Sequence, residues 1–476
     1  MDTISYFWAS FIPAFSLVAL ACAILLADAF LPKLPKRLFG VIAAVGAAVA
    51  GCFCYSNTQC FSYDSLACLA TVLSILLAID YTKVSCDSLS GSDNEDGLGE
   101  FFALPLVACA GVLCLTQAHD LIMLFVSLEV ITLTSYVLAG YFRRNQGSVE
   151  AGIKYLIIGA MSTGMLVFGT AWYFGMTGSF ALSSCTMVNT LVNLPALTTP
   201  LLFALALLFT GAFFKMGAAP MQVWVPDVYQ GAPTPVSNFL ATGSKAAGFA
   251  LFTLLAAPCF HVGNVSYVLM GAIAIVAAAT LLIGNLGAIG QTNAKRLLGY
   301  SSIGQAGFII IFYLAGSYDV LVSDVVAYLA AYTLATTVAF FAIAMVRTQR
   351  GSEELSAFRG LGTTNPRTAF LITVAFASLA GVPLTFGFMV KMASFVTLVS
   401  VMQETCGLCW LLPIMIVCAA AGFYYYFKVI REMYWVKPAE GDKPLCIPVC
   451  TGIVMTLCTL AILVLGTLPL LIKMPY

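Results

Sequence analysis

The chain has 476 residues, of which 61% are apolar and only 9% are charged; the mean hydropathy is +0.99 and the formal net charge is zero. This composition excludes a soluble domain, whose apolar fraction is about half. The absence of a basic cluster beside aromatic residues also gives no indication of nucleic-acid binding. We therefore interpret the chain as an integral membrane protein that contacts the lipid bilayer.

Stretches of about 20 mostly apolar residues can cross the hydrocarbon core of a bilayer. The sequence contains about 14 of them by this length criterion, and we expect each to form a transmembrane helix, because backbone in lipid must satisfy its hydrogen bonds internally. In chain order, predicted helices 1 to 14 cover residues 9–30, 38–54, 64–80, 101–116, 121–141, 151–175, 199–219, 236–257, 267–290, 297–314, 324–346, 368–395, 406–430 and 445–474.

The basic residues alternate in step with this segmentation. Cytoplasmic loops carry an excess of Lys and Arg, and 16 of the 21 Lys and Arg residues follow odd-numbered predicted helices. Four lie within helices, and only Lys473 lies on the other side. We therefore expect the odd-numbered connections to face the cytoplasm and both termini to lie on the opposite, periplasmic side of the membrane.

Helices 5 and 6 each carry a charged residue in an apolar stretch. Glu129 lies near the middle of helix 5, where a charge costs about 2.5 to 3.5 kcal/mol on insertion scales, and such a residue predicts a role in ion movement. Lys154 lies near the cytoplasmic start of helix 6, one turn after Glu150. For Lys154, a proton-carrying role and a surface ion pair with Glu150 are both open.

Helices 7, 8 and 12 carry one lysine each, namely Lys215, Lys245 and Lys391. Lys215 precedes Pro220 in helix 7, whereas Lys391 follows Pro383 in helix 12. Proline breaks a helix, and at membrane depth a break is tolerated only beside protein or water. The reversed order of lysine and break predicts that helices 7 and 12 are interrupted and that helices 4–8 and 9–13 form an inverted repeat.

We therefore predict an all-α integral membrane protein that forms a single polytopic domain. Three N-terminal helices are expected within residues 1–98, the first repeat within 99–257, the second within 258–435, and the C-terminal helix within 436–476. In this arrangement each repeat contributes one broken helix with a buried lysine.

The sequence offers no obvious place for a redox group. Cys406 and Cys409 form the only C-x-x-C pair among 16 cysteines, and no second pair or nearby histidine completes a set of four metal ligands. The sequence also lacks a G-x-G-x-x-G motif, a Walker loop and an iron–sulfur cysteine run. We expect that this chain binds no cofactor or metal, and that electrons in any associated reaction pass through other subunits.

Three sequence segments carry a resemblance to a known family. These are Lys215-Met-Gly-Ala-Ala-Pro-Met-Gln-Val-Trp-Val-Pro-Asp-Val-Tyr-Gln-Gly-Ala-Pro-Thr-Pro235, Gly243-Ser-Lys-Ala-Ala-Gly-Phe249 and Asn293-Ala-Lys-Arg-Leu-Leu-Gly-Tyr-Ser-Ser-Ile303. They resemble the signature of subunit N of the proton-pumping NADH:quinone oxidoreductase, respiratory complex I, one of its antiporter-like membrane subunits. The resemblance covers residues 99–435 and is most specific in the P-D-x-Y-x-G-A-P-T-P core.

The resemblance implies a proton-translocating membrane subunit that is driven by quinone reduction elsewhere in the complex. It implies that Glu129, Lys215, Lys245 and Lys391 form the proton path. The complex would use NADH or ferredoxin, FMN, iron–sulfur clusters and a quinone in its other subunits. The partners would be a neighbouring antiporter-like subunit, small helical membrane subunits and the lipid of a bacterial inner membrane.

Two glutamines depart from the family pattern, in which histidine is frequent at the positions of Gln222 and Gln305. Glutamine cannot take up a proton near pH 7, so water would have to bridge these points. The alternative for the polar residues of helices 10 and 11 is simple interhelical hydrogen bonding. The candidates to line a water-bearing connection from Lys245 to Lys391 are Ser301, Ser302, Gln305, Tyr328 and Tyr332.

A movable Glu129 beside Lys215 would act as a switch, because pairing holds the proton on the lysine and loosening of the pair releases it towards Lys245. Two other functions stay open. A subunit of a multisubunit Na+/H+ antiporter shares the charged axis and the broken helices. A scaffold with purely structural lysines is the third interpretation, and the P-D-x-Y-x-G-A-P-T-P core favours the oxidoreductase.

Overall fold

The computed structural model describes residues 2–31, 34–58, 61–89, 98–193, 198–316, 318–404, 406–438 and 444–468. Within these ranges, 14 helices are long and apolar enough to cross a membrane, as the sequence predicts. The described residues form helices joined by turns, with isolated bridges but no named strand. The all-α membrane fold is therefore confirmed. Lys33, Lys443 and Lys473, which entered the count of basic residues, lie outside the described residues.

The helices follow one another with short connections. The first half of the chain forms α1 (Asp2–Phe30), α2 (Lys36–Thr58), α3 (Tyr63–Leu89), α4 (Leu98–Thr116), α5 (Leu121–Ala139), α6 (Gln146–Thr177), α7 (Ser184–Asn193), α8 (Thr198–Met216), α9 (Trp224–Gly231), α10 (Thr234–Ala241) and α11 (Gly243–Phe260). The second half forms α12 (Gly263–Ile289), α13 (Ala294–Ile310), α14 (Tyr318–Arg350), α15 (Leu361–Thr364), α16 (Pro366–Ala380), α17 (Phe386–Glu404), α18 (Leu411–Tyr434) and α19 (Val449–Thr467).

Three membrane-crossing helices form the centre of the protein. They are predicted helix 8 (α10 with α11), helix 10 (α13) and helix 11 (α14). In each of them, 94% of the residues in the most apolar stretch of 18 are buried inside the protein. In the long α6, by contrast, only 28% of the residues in such a stretch are buried, and apolar side chains face outward. Polar side chains on the three central helices are therefore shielded from lipid, and they can form hydrogen bonds within the protein.

Helices 7 and 12 are interrupted, as predicted. α8 ends at Met216, after which Gly217 has a φ of 70°, and α9 begins only after Pro220. α16 ends before Gly381, which has a φ of 87°, and α17 begins after Pro383. Each break thus combines a left-handed glycine, which ends a helix at no steric cost, with a proline that cannot continue it. The inverted repeat and the domain boundaries drawn at residues 98, 257 and 435 stay predictions.

Helix 8 has a bend that the sequence pattern did not predict. α10 and α11 meet at Thr242, which has a φ of −113° and a ψ of −76°, and its hydroxyl donates to the carbonyl of Asn238 at 2.7 Å. Threonine hydroxyls that bond back to the preceding turn bend helices. This bend lies just before Lys245, and no proline marks it in the sequence.

Candidate functional site

Three lysines lie inside the protein without an acidic partner. The residues Lys215, Lys245 and Lys391 are 2%, 2% and 6% exposed, respectively. Among the described residues, each ammonium group donates to hydroxyl or carbonyl oxygens, and none forms an ion pair. A buried charge without a counter-charge is costly, so these three positions need a functional explanation.

Lys215 and Glu129 lie in one polar cluster but bind different partners. The ammonium nitrogen of Lys215 lies 3.3 Å from the hydroxyl of Thr132 and 3.4 Å from that of Tyr155. The half-buried carboxylate of Glu129 accepts a hydrogen bond of 2.8 Å from Thr163. No hydrogen bond or ion pair joins the two side chains in the described part of the chain. The pair is therefore open in this structure, and hydroxyl groups lie around both members.

Trp224, the first residue of α9, fixes the surroundings of Lys215. Its indole ring stacks on Tyr155 with a centroid distance of 4.5 Å and an angle of 25°. The indole N–H donates to the carbonyl of Phe214 at 3.0 Å, one residue before Lys215. This carbonyl belongs to the last turn of α8, whose acceptors have no partner within the helix. The position of α9 therefore determines where Tyr155 and the end of α8 lie.

Lys245 is bound by Ser302 of helix 10. Its ammonium group donates to the backbone carbonyl of Ser302 and, at 2.6 Å, to the Ser302 hydroxyl. The ring of Tyr332 lies 5.2 Å from the same ammonium nitrogen. On the other side, the hydroxyl of Tyr229 in α9 lies 3.3 Å from the Ser302 hydroxyl. Ser302 therefore joins Lys245 to α9 and to the centre of the protein.

Lys391 caps the first half of broken helix 12. Its ammonium group donates to the carbonyls of Leu379 at 2.7 Å and Ala380 at 3.1 Å, the last residues of α16. The terminal carbonyls of a helix carry partial negative charge and lack partners within the helix, so a cation is favourable there. Gln305 donates to the same Leu379 carbonyl at 3.1 Å. A single carbonyl oxygen thus connects Gln305 with Lys391.

A small cavity of about 10 Å³ separates this glutamine from Lys391. Tyr328 and Tyr332 contribute to its wall, and the hydroxyl of Tyr328 donates to the side-chain oxygen of Gln305. Such a space has room for about one water molecule. Ser301 binds the hydroxyl of Tyr426 in α18 close by. The structure therefore brings together all five residues that the sequence placed between Lys245 and Lys391.

Lys154 lies apart from the other candidate residues, Glu129, Lys215, Lys245 and Lys391, which we call the buried line. Its side chain is 42% exposed and pairs with Glu150 at 2.7 Å and with Asp227 at 2.9 Å.

Gln222 lies in the turn before α9, where its side-chain oxygen has no partner among the described residues. Sequence reasoning missed Tyr155 and Tyr426, since buried tyrosines in apolar helices have no signal beyond their polarity.

Several buried polar atoms on α10 and α14 have no hydrogen-bond partner in the part of the chain that the structure describes. They are the hydroxyls of Thr234, Thr333 and Thr337 and the side-chain oxygen of Asn238. Thr234 and Asn238 lie on α10, Thr333 and Thr337 lie on α14, and these two helices pack together. About 90% of buried polar groups in proteins have a partner, so this group of four atoms is an exception that requires an explanation.

The described residues include no group of three or more His, Cys, Asp or Glu side chains arranged to hold a metal ion. The cysteines in these ranges for which the structure gives a state are free thiols. The described residues from Glu129 to Lys391 thus combine lysine and glutamate, which can take up and release protons, with hydroxyl and amide groups, which form hydrogen bonds.

Comparisons with known proteins agree on one family. Residues 118–418, more than half of the chain, match a family model described as NADH:quinone oxidoreductase/Mrp antiporter, transmembrane. The chain is 32% identical to NADH-quinone oxidoreductase subunit N from Brevibacillus brevis, over 94% of this chain and 90% of that protein. A chain of respiratory complex I from Thermus thermophilus is 28% identical, with a TM-score of 0.77 and coverage of 97% of this chain and 98% of that one. A chain of the Mrp complex from Dietzia sp. has a TM-score of 0.78, with coverage of 97% and 95%, but only 16% identity, which shows a shared fold alone.

Proposed function

The chain belongs to the family of antiporter-like membrane subunits that includes subunit N of NADH-quinone oxidoreductase, and from this premise we propose that its buried lysines form a proton path. The protein is a proton-translocating membrane subunit of NADH-quinone oxidoreductase. The cofactors of that complex lie in other subunits, so this chain contributes proton movement to the reaction. We further propose that those cofactors are FMN, iron–sulfur clusters and a quinone, with NADH or ferredoxin as electron donor.

The observation that carries the proposed path is the line of three buried lysines held only by neutral oxygens. Protons would enter the line near Glu129 and Lys215, pass to Lys245, and reach Lys391 through Ser302, the tyrosines and Gln305. A permanently charged lysine in such a place would destabilise the fold. A lysine that accepts and releases a proton during turnover is charged only for part of the cycle.

We propose a water-filled inlet from the cytoplasm to Lys245. The unpartnered oxygens of Thr234, Asn238, Thr333 and Thr337 support it, because they lie on α10 and α14, two helices that pack together, and α14 also places Tyr332 beside Lys245. A chain of waters satisfies these atoms and conducts protons. In this arrangement Lys245 receives protons from water as well as from Lys215.

We also propose that another membrane subunit covers α5. Glu129 is half-buried, and α5 exposes Ile122, Val126, Leu133 and Val137 around it. A carboxylate at mid-membrane is unfavourable against lipid, so a protein neighbour is the better occupant. The candidates are an antiporter-like subunit and the small helical subunits. The alternation of basic residues supports a bacterial inner membrane orientation with both termini in the periplasm.

An antiporter subunit of the Mrp type is the second candidate. The family model includes both groups, and the Mrp likeness is one of fold. The identity of 32% over nearly the whole chain to a subunit N favours the oxidoreductase.

Substitution of Lys391 separates a pump from a scaffold. We expect Lys391→Met to leave the complex assembled, because the change removes a buried cation, and to lower the number of protons translocated per electron by more than half. Lys391→Arg should also fail, because arginine stays charged and cannot release its proton. The measurement is proton translocation per electron in vesicles reconstituted with the whole complex.

Lys428→Met is the matched control. Lys428 is also partly buried and also donates to a carbonyl, that of Gln291 at 3.0 Å, but it lies outside the buried line. Its substitution should preserve the wild-type ratio. Recovery of the variant subunit in the purified complex reports assembly. A wild-type ratio in both Lys391 variants would remove Lys391 from the path and favour the scaffold.

A further inference from the structure

The short helix α9 is bound near its middle and at its C-terminal end by cations from two other helices. Asp227 of α9 accepts a hydrogen bond of 2.9 Å from Lys154 of α6 on one carboxylate oxygen. Its other oxygen lies 2.7 Å from a guanidinium nitrogen of Arg296 in α13, which also donates to the side chain of Gln230 at 3.0 Å. One carboxylate therefore joins α6, α9 and α13.

Lys295 of α13 adds further contacts to the end of α9. It is fully buried and donates to the backbone carbonyls of Gln230 at 3.1 Å and Ala232 at 2.8 Å, at the end of α9. It also pairs with Glu353, at 3.0 Å, in the connection after α14, and Arg347 binds the same carboxylate. The free carbonyls of a helix end favour a cation. We call the group Lys154, Asp227, Lys295, Arg296 and Glu353 the cytoplasmic clamp.

Four of the five residues of the cytoplasmic clamp are accessible to water, whereas Lys295 is buried. The four line a polar cavity of about 520 Å³, and the side chains of Lys154, Asp227 and Arg296 are 42%, 33% and 34% exposed. α9 lies outside the 14 membrane-crossing spans. Partial burial raises the pKa of Asp227, but the hydrogen bond from Lys154 and the charge of Arg296 outweigh it and hold this pKa below its ordinary value. Asp227 is therefore ionised near neutral pH.

Two aromatic residues of α9, one on each side of Asp227 in the sequence, connect the cytoplasmic clamp to Lys215 and Lys245. Trp224 packs on Tyr155, a hydroxyl partner of Lys215. Tyr229 lies beside the Ser302 hydroxyl that binds Lys245. Since α9 is only one short helix between two turns, a shift of Asp227 also shifts these two aromatic residues. The partners of Lys215 and Lys245 thus depend on one rigid element.

We propose that Asp227 is a positioning residue, which together with the cytoplasmic clamp holds α9 where proton transfer between Lys215 and Lys245 is efficient. This inference rests on the proposed proton path. The clamp residues do not touch the transferred proton in this mechanism. They act through Trp224 and Tyr229, so that loss of one charge in the clamp loosens α9 and slows the transfer.

The test uses the whole complex in reconstituted vesicles. Asp227→Asn should lower proton translocation by about twofold to fivefold, the factor expected for a partly exposed ion pair. It should also raise the solvent deuterium isotope effect on translocation, because the internal transfer becomes slower. Asp227→Glu, which keeps the charge, should recover most of the rate. Arg296→Gln, which leaves the contact between Lys154 and Asp227, should lower translocation in the same direction, and the double variant should lose less than the sum of the two effects, since the contact between Asp227 and Arg296 is removed by either change.

Glu150→Gln is the matched control, because Glu150 pairs with Lys154 on its exposed side and makes no recorded contact with α9. It should behave as the wild type. If Asp227→Asn does not assemble, Arg296→Gln decides by the same measurements. Lys215→Ala is measured in parallel vesicles. If it loses proton translocation while the assembled clamp variant keeps the wild-type rate and isotope effect, the proposed positioning role of Asp227 is wrong. Normal translocation by Lys215→Ala would instead overturn the proton path itself.

Discussion

Glu129 and Lys215 show how single residues in this protein avoid permanent pairing. The carboxylate binds the Thr163 hydroxyl, and the ammonium group binds the hydroxyls of Thr132 and Tyr155. Hydroxyl groups both donate and accept, so they can bind either protonation state of either residue. Closure of the pair would exchange these contacts for a direct one. The open geometry therefore supports the predicted switch without requiring that the two groups stay in contact.

Coupling between these two residues can be measured with a double-mutant cycle. Glu129→Gln and Lys215→Ala should each lower proton translocation by more than half, and the double variant should lose much less than the sum of the two effects, because the residues act as one unit. Glu129→Asp, which keeps the charge but shortens its reach, should be milder than Glu129→Gln. The measurement is protons per electron in reconstituted vesicles. Strictly additive losses would mean that the residues work separately.

Among the helices, the two breaks place their lysines in different surroundings. Lys391 reaches back from α17 to the last carbonyls of α16, where the helix dipole favours a cation. Lys215 lies in the last turn of α8, but its ammonium group donates to hydroxyls of α5 and α6 instead of carbonyls. The reversed order of lysine and proline in the two sequences therefore leads to two different ways of binding a buried ammonium group.

A substitution at the helix 12 break tests this arrangement. Gly381 has a φ of 87°, and an added Cβ would lie 3.0 Å from the Cδ of Lys391. Gly381→Ala should destabilise the break by about 1–2 kcal/mol through the left-handed backbone and should displace Lys391 from its carbonyl partners. We expect proton translocation by the assembled complex to fall. Gly316→Ala is the control, because Gly316 has a φ of 66° with no atom within 4 Å of the added Cβ. Equal effects of both substitutions would argue against a role for the contact with Lys391.

Element positions were largely predictable from the sequence, whereas long-range contacts were not. Pro220 and Pro383 marked the breaks in helices 7 and 12, because proline acts through local backbone chemistry. The bend at Thr242 depends on a side-chain hydrogen bond that no pattern announces. The predicted helix bounds, 267–290 and 297–314, place Lys295 in a connection, whereas it is the second residue of α13 and is fully buried. Its partners are carbonyls from a distant part of the chain, which composition cannot reveal.

For the whole molecule, the central position of helices 8, 10 and 11 explains how polar and charged side chains can be accommodated in such an apolar chain. These helices are surrounded by others, so their lysines, serines and tyrosines meet each other instead of lipid. The outer helices bear the apolar surface. This separation requires the chain to cross the membrane with a fixed orientation, and the basic residues on alternate connections provide the means.

Reporter fusions at two sites, one before and one after α19, test that orientation. An even number of crossings, 14 in the described residues, places both termini on one side, and the basic residues predict that this side is the periplasm. A phosphatase fused after Tyr476 should be active, because it follows α19. The same enzyme fused after Lys437, an exposed residue that precedes α19, should be inactive, and a fluorescent protein there should fold and fluoresce. Activity of both phosphatase fusions would mean that α19 does not cross the membrane, and the reverse pattern would place the termini in the cytoplasm. Either result would also move the cytoplasmic clamp away from the side from which protons are taken up.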